Sequence, residues 1–394
     1  ASPIMFPMWF RALRAAAVVA VACVAAACHG EMRLNLGPPQ QVADGVELFR
    51  VNNAPVPDNP GPLAIQILRI DPERAVLSSA IANDRVMSLE TVPEMAARTG
   101  ALAAINAGFF VRNGDPAGLL EVGDELVSET GLMRGAVGVV RKPGQPVRLV
   151  FDRVSAGVTL RYTMDGEAVA ARIDGVNTTR VRGRLMLYTP RYGPDSDTAP
   201  AGVEWQLDGS PLRVTDVRAN AGKTTIPRAG AVLSFGGTVL PTALERLTVG
   251  QDVGIETSFQ ASFGTLPETW IDAVDIVGGA GLLVFKGTAL TDWSEEQLRD
   301  GFTTERHPRT VIGASKNGTI WLITVDGRNP QVSVGMTFAE LQRLASDLKL
   351  YYALNLDGGG STTMVVKGAI VNHPSDPAGP RRVSDGIIVT PRRQ

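Results

Sequence analysis

From residue 46 onward the apolar positions fall in short runs bounded by Gly, Pro, Asp and Asn, the signature of strands rather than of long helices. Residues 63–70 and 75–82 are two such runs. The turn-like Asp71-Pro72-Glu73-Arg74 separates them, so the pattern predicts an opening hairpin. Two stretches change to helical spacing and share a plan. Thr91-Val92-Pro93-Glu94 has the Thr-x-x-Glu spacing of a capping box, Gly100 stops the helix, and the apolar run 101–105 ends at Asn106. Thr337-Phe338-Ala339-Glu340 opens the second helix. It places Phe338, Leu341, Leu344, Ala345 and Leu348 on one face, and the apolar run that follows leads into Asp357. Helix, buried strand and polar glycine-bearing loop thus occur twice, and strand ends that open into such loops are where α/β folds collect ligands, so Asn106 and Asp357 are expected at one cleft. Between about 138 and 263 the chain is rich in Val, Thr and Arg, with Pro-Gly, Asp-Gly and Gly-Gly punctuation, and reads as a β-rich elaboration. The expected fold is α/β in a mixed α+β sense: a mostly β core with flanking helices and that elaboration, in one domain over 46–394.

The first residues differ in kind. Arg11 and Arg14 precede an uncharged run over 15–27, too short for a transmembrane helix and laid out like a secretory signal peptide over 1–28. Ala25-Ala26-Ala27-Cys28 resembles a lipoprotein processing site, with Ala25 where that motif usually has Leu. Cleavage after Ala27 and an uncleaved anchor are the alternatives. The reading is an exported envelope protein, periplasmic or on the outer membrane, lipidated at Cys28 and joined to its domain by a flexible tether over 29–45.

Composition narrows the chemistry. Thirty-eight basic against 40 acidic residues leave a net charge of −2 in a 394-residue chain, so no global field gathers nucleic acid, and any anion must be held locally. Cys23 and Cys28 are the only cysteines and both precede the domain, which removes internal disulfides and thiol catalysis. His307 and His373 are too far apart in sequence for a zinc spacing.

The most informative run is Asn355-Leu356-Asp357-Gly358-Gly359-Gly360-Ser361-Thr362-Thr363. Three glycines leave one flank of a loop without Cβ atoms, so backbone N–H groups can converge on an anion, with Ser361 and Thr362 adding hydroxyls. A strand follows, which separates this loop from a nucleotide P-loop. Asp326 stands at the end of the apolar run 320–325, before Gly327 and Arg328. Arg309 is presented just ahead of the run 311–314, where its guanidinium can grip a phosphate or pair with Asp326 or Asp357.

These motifs carry a resemblance. Ile-Asn-Ala-Gly-Phe-Phe at 105–110, Pro-Arg-Thr at 308–310, Val-Asp-Gly-Arg at 325–328, the glycine run, and Arg-Val-Ser-Asp-Gly-Ile-Ile-Val at 382–389 occur in the order seen in phosphodiester glycosidase domains. His373-Pro374-Ser375-Asp376 resembles the segment after the family's glycine loop, and Ala107 stands where the family often has Gly. The resemblance implies a catalytic α/β fold that hydrolyses a sugar linked through its anomeric carbon to phosphate, on a glycosyl phosphate or polysaccharide substrate. On that basis Asp357 is the expected nucleophile or base and Asp326 the second carboxylate. Asn106, Arg309, Arg328, Asn355, Gly358, Gly359, Gly360, Ser361 and Thr362 are expected to bind substrate. No cofactor is required, and a divalent cation, Ca²⁺ or Mg²⁺, is left open. Two rivals share these residues: a phosphodiesterase breaking the P–O bond, and a non-catalytic binder of phosphorylated glycans.

Overall fold

The computed structural model describes residues 34–52 and 61–392, which belong to one compact unit. The expected signal peptide, Cys28 and residues 29–33 of the expected tether lie outside the described residues. The rest of that tether is already part of the fold. Leu34 and Leu36 pack against the core, and Gln40–Ala43 pairs with Val46–Asn52.

The architecture is β-rich, with 44% of residues in strands and 10% in helices, so the mostly β core expected is present while the α/β label fits only in part. Among the described residues only Val92–Thr99 and Phe338–Asp347 are α-helices of eight residues or more, and Gly175–Val176 with Leu185–Tyr188 is the only parallel pair of strands. The physical reason lies in the connections. Parallel strands need long crossovers, usually helical, whereas this chain supplies mostly short turns that favour antiparallel neighbours.

Two sheets build the site. The first runs in the order Gln40–Ala43, Val46–Asn52, Ala64–Ile70, Ile320–Val325, Arg309–Ser315, Leu350–Asn355, Leu282–Phe285, Thr288–Ala289. The second runs Ala369–Ile370, Met364–Val366, Ala103–Asn106, Asp385–Pro391, Ala75–Ile81. The expected opening hairpin is therefore absent: Ala64–Ile70 and Ala75–Ile81 enter different sheets. Ala64–Ile70 is almost wholly buried and takes Val46–Asn52 on one edge and Ile320–Val325 on the other, so neither edge is left for its sequence neighbour. The segment 138–263 is β-rich as expected. It contributes Arg148–Met164, Glu167–Ile173 and Val253–Ala261 to a third sheet and forms all of a fourth.

Both capping boxes form. Thr91 accepts from the Glu94 N–H and Thr337 from the Glu340 N–H, with each glutamate returning a bond to its cap, and Gly100 closes the first helix at φ 67°. Each helix leads into a buried strand, Ala103–Asn106 or Leu350–Asn355. The strands belong to different sheets, yet their ends meet. Asn106 Nδ2 donates to the Asp357 carbonyl at 2.7 Å, and the Asp357 N–H donates to the Ala107 carbonyl at 2.9 Å.

Candidate active site

Three loops converge where those strands end: 106–110, 357–363 and 384–386. Asn106 fastens the first two. Its Oδ1 accepts from Thr310 Oγ1 (2.8 Å) and the Thr363 N–H (3.1 Å), while its Nδ2 holds Asp357, so this buried carboxamide positions the loop and is not presented to a sugar. Asn355 is likewise buried, donating to the Ala280 and Leu356 carbonyls. Ser361 and Thr362, within the same loop, are buried. Asn106, Asn355 and Thr362 thus bond within the protein as scaffold of the site, and Ser361 is buried beside Asp357.

A pocket of about 280 Å³ lies above them, lined by Phe109, Arg299, Phe302, His307, Pro308, Arg309, Arg328, Asp357, the three glycines and Arg381. Larger concavities exist elsewhere, but this one gathers the motif residues. The glycines serve a purpose other than the one expected. A Cβ on Gly358 would meet the Pro308 carbonyl at 2.6 Å, one on Gly359 the Arg328 guanidinium at 2.9 Å, and one on Gly360 the Arg381–Asp376 pair. Protein groups, rather than a ligand, occupy the space the missing side chains leave. The loop N–H groups do not converge on an anion either. Gly358 donates to Asp357 Oδ1, Gly359 to Pro308, Ser361 to Gly358 and Thr362 to Gly359. Guanidinium groups are what remain to hold a negative charge.

Asp357 is the carboxylate of this pocket. Burial pushes its pKa up to about 6, and the charge of Asp385 acts in the same direction. The Gly358 N–H opposes this. So does the Ser361 hydroxyl, which is near enough to favour the ionised form without being aligned as a hydrogen bond. Asp385 is fully buried, accepts from the Gly108 N–H and Ser384 Oγ at 2.5 Å each, and so fixes the loop that carries Phe109. Its own pKa is raised by burial.

The arginines divide into two kinds. Arg299 faces Glu305 at 3.6 Å, and Arg381 grips Asp376 through two bonds of 2.8 and 3.0 Å. Arg309 and Arg328 have no carboxylate within ion-pair distance among the described residues. Arg309 is buried between Phe302 and Phe338 and donates to the carbonyls of Met336, Phe302 and Glu305, and burial pushes its pKa down to about 10. The ion pair with Asp326 or Asp357 considered from sequence does not form. Arg328 is exposed, lies across Gly359, and makes no hydrogen bond among the described residues.

Asp326 is not among the residues that line the pocket, which corrects its expected role as a second carboxylate on the substrate. It is 2% exposed, and its carboxylate accepts from Asn372 Nδ2 (2.9 Å) and the His373 N–H (3.0 Å) and faces His373 Nδ1 at 3.1 Å.

Several lining residues were not singled out in the sequence: Phe109, Arg299, Phe302 and Arg381. Arg299 and Phe302 ride on the segment 292–308, which Glu296 pins from behind by accepting from the Gly135, Gly281 and Leu282 N–H groups and pairing with Arg153. Among the described residues no cluster of three or more His, Cys, Asp or Glu side chains could hold a metal.

The fold and these loops agree with what the chain resembles. Residues 202–390 match the profile of the phosphodiester glycosidase family. It is 37% identical over 87 residues to the N-acetylglucosamine-1-phosphodiester alpha-N-acetylglucosaminidase of Bos taurus, a match that covers 21% of this chain and 16% of that one. It is 36% identical over 87 residues to an SPbeta prophage-derived protein of Bacillus subtilis (strain 168), over 22% of this chain and 12% of that one. The matched stretch is thus a small part of each curated relative. Among solved structures, a Synechocystis protein superposes with a TM-score of 0.73 at 23% identity, covering 91% of this chain and 64% of that one. A Burkholderia pseudomallei K96243 protein described as exported superposes with a TM-score of 0.69 at 25% identity, covering 86% and 75%.

Proposed function

We propose that the protein hydrolyses a glycosyl-1-phosphodiester at the anomeric C–O bond. The observation that carries this reading is the charge balance of the pocket. Arg299 and Arg381 are each met by a carboxylate, which leaves Arg309 and Arg328 against Asp357. Two unpaired cations and one unpaired carboxylate sum to a single positive charge, the complement of one phosphodiester anion. The phosphate is held by Arg328 over the glycine loop, and the sugar lies against Phe109 and Phe302, whose ring centroids are 6.1 Å apart. Asp357, with a pKa near 6, is mostly ionised at neutral pH and acts at the anomeric carbon, directly or through water. The C–O bond breaks with its electron pair on the phosphate oxygen. A phosphate monoester has a second pKa of about 6 and departs well as an anion, so stabilising its charge is the main demand on the site.

Hydrolysis in ¹⁸O-labelled water tests this. Label is expected in the released sugar. Label in the phosphate establishes P–O cleavage and replaces this reading with a phosphodiesterase, and no turnover of any glycosyl-1-phosphodiester points to the binding protein.

The protein is further proposed to work in the cell envelope, anchored to a membrane by a lipid on Cys28. The leader-like pattern of residues 11–28 and the exported description of the Burkholderia protein support this. Intact-mass spectrometry of the protein from membranes is expected to find a chain beginning at a lipid-modified Cys28. An unmodified Cys28 in the processed protein overturns the anchor.

A further inference from the structure

We propose that His373 is a second proton-transfer group of this active site, presented to the departing phosphate by Asp326. The inference rests on the glycosyl-phosphodiester reading. Asp326 is 2% exposed while the His373 side chain is 68% exposed, so the pair joins a buried anchor to an open imidazole. The anchor is fully built. Asp326 takes the Asn372 carboxamide and the His373 N–H on Oδ1, and meets His373 Nδ1 with Oδ2 at 3.1 Å. A carboxylate at Nδ1 selects the tautomer with its proton there and leaves Nε2 as the exchanging position, the arrangement by which an aspartate orients a histidine base or acid.

Three contacts of neighbouring residues tie this segment to the pocket. Asn372, the preceding residue, donates to the Thr362 carbonyl and accepts from the Met364 N–H, which bolts it to the exit of the glycine loop. Asp376, three residues on, pairs with Arg381 over Gly360. Arg328, two residues beyond Asp326, lies over Gly359. His373 is not itself among the residues that line the pocket, but its chain neighbours hold the glycine loop and Arg381, and on that ground we place its exposed imidazole at the outer edge of the phosphate side. The charged group in contact with it is Asp326; Asp376, Arg328 and Arg381 are the charged groups on the neighbouring segments.

In the step proposed, an oxygen of Asp357, or of a water that Asp357 activates, bonds to C1 as the C1–O bond breaks, and the electron pair of the broken bond stays on the phosphate oxygen. The Nε2 proton of the imidazolium passes to the phosphate, the Nδ1 proton remains on the Asp326 hydrogen bond, and the proton lost by the water whose oxygen becomes the sugar hydroxyl restores Nε2. Asp326 touches no reacting atom and is a positioning residue.

The test uses the intact protein with ¹⁵N-labelled histidine and inorganic phosphate as the probe. The expected result is a His373 imidazole protonated on Nδ1 whose Nε2 resonance shifts saturably with phosphate. In Asp326→Asn the carboxamide donates to Nδ1, so the neutral ring is expected to move its proton to Nε2. In kinetics, His373→Gln is expected to lower kcat on a glycosyl-1-phosphodiester by about 100-fold with little change in KM. Combining it with Asp326→Asn is expected to be no worse than the more damaging single change, because the two act as a unit. His373 resonances unmoved across the phosphate titration, or wild-type kinetics in His373→Gln, overturn the proposal. A wild-type protein that cleaves no glycosyl phosphodiester instead overturns the function above, and the phosphate titration still decides whether His373 faces the anion.

Discussion

Asp357→Asn is expected to remove nearly all turnover while making the folded protein more stable at neutral pH. The amide keeps the shape of the carboxylate and can still accept from the Gly358 N–H, but it is a far poorer nucleophile and base, so kcat should fall by roughly 10³-fold or more. The stability gain follows from the raised pKa. A carboxyl whose pKa climbs from 3.8 unfolded to about 6 folded binds its proton more tightly in the native state. Its favourable contribution is complete below the unfolded value and is lost as pH rises through the folded one, where a buried charge must be maintained. The variant carries no such charge. Its advantage in Tm should therefore be absent below pH 4, grow between pH 4 and 6, and reach a few degrees by pH 8. Wild-type kcat/KM should rise over the same interval as the carboxylate ionises. Thermal melts at pH 4 and pH 8 with a kcat/KM profile check both limbs. An Asn variant that is inactive and destabilised at pH 8 would make Asp357 a structural anchor.

Local signals in the chain were readable because they depend on neighbours in sequence. The Thr91–Glu94 and Thr337–Glu340 boxes, Gly100, and the strands that deliver Asn106 and Asp357 all form as their spacing implies, and the two loops do meet. What sequence spacing does not encode is which strand edges are already taken. Ala64–Ile70 is flanked on both sides by partners from residues 46–52 and 320–325, so a hairpin that looks natural locally cannot form. The same limit applies to the site. Asn106, Asn355 and Thr362 have the side chains of ligand contacts, yet they bond to carbonyls, N–H groups and hydroxyls of the protein, and Ser361 is buried beside Asp357. Asp326 reads as a catalytic carboxylate from its strand-end position, but its partners come from residues 372 and 373. Arg299 and Phe302 sit in a segment without regular periodicity, and only the burial of Glu296 and the grip of Arg309 bring them to the pocket.

Arg309→Lys and Arg328→Ala are expected to fail in opposite ways, although both residues line the pocket. Arg309 spends its planar guanidinium on three carbonyls, those of Met336, Phe302 and Glu305, between two aromatic rings at 5.3 and 5.0 Å. Lysine keeps the charge but is a strongly hydrated point donor that cannot reach three diverging acceptors from one buried position. Each hydrogen bond to a charged group is worth about 1.5–3 kcal/mol, so losing even one or two should lower Tm by several degrees. Catalysis should suffer mainly because the wall bearing Arg299 and Phe302 loosens. Arg328 has none of these contacts and lies exposed over Gly359, so its removal should leave Tm within about a degree of wild type. The phosphate would instead lose a charge-assisted partner, and kcat/KM should drop roughly tenfold to a hundredfold, with a matching loss of affinity for inorganic phosphate. Melting curves measured beside kcat/KM for both variants separate the two roles. A thermally native Arg309→Lys that is nonetheless inactive would give Arg309 the direct grip on phosphate. An Arg328→Ala with wild-type kinetics would move the anion to Arg299 and Arg381, and the charge balance that supports a monoanionic diester would fail with it.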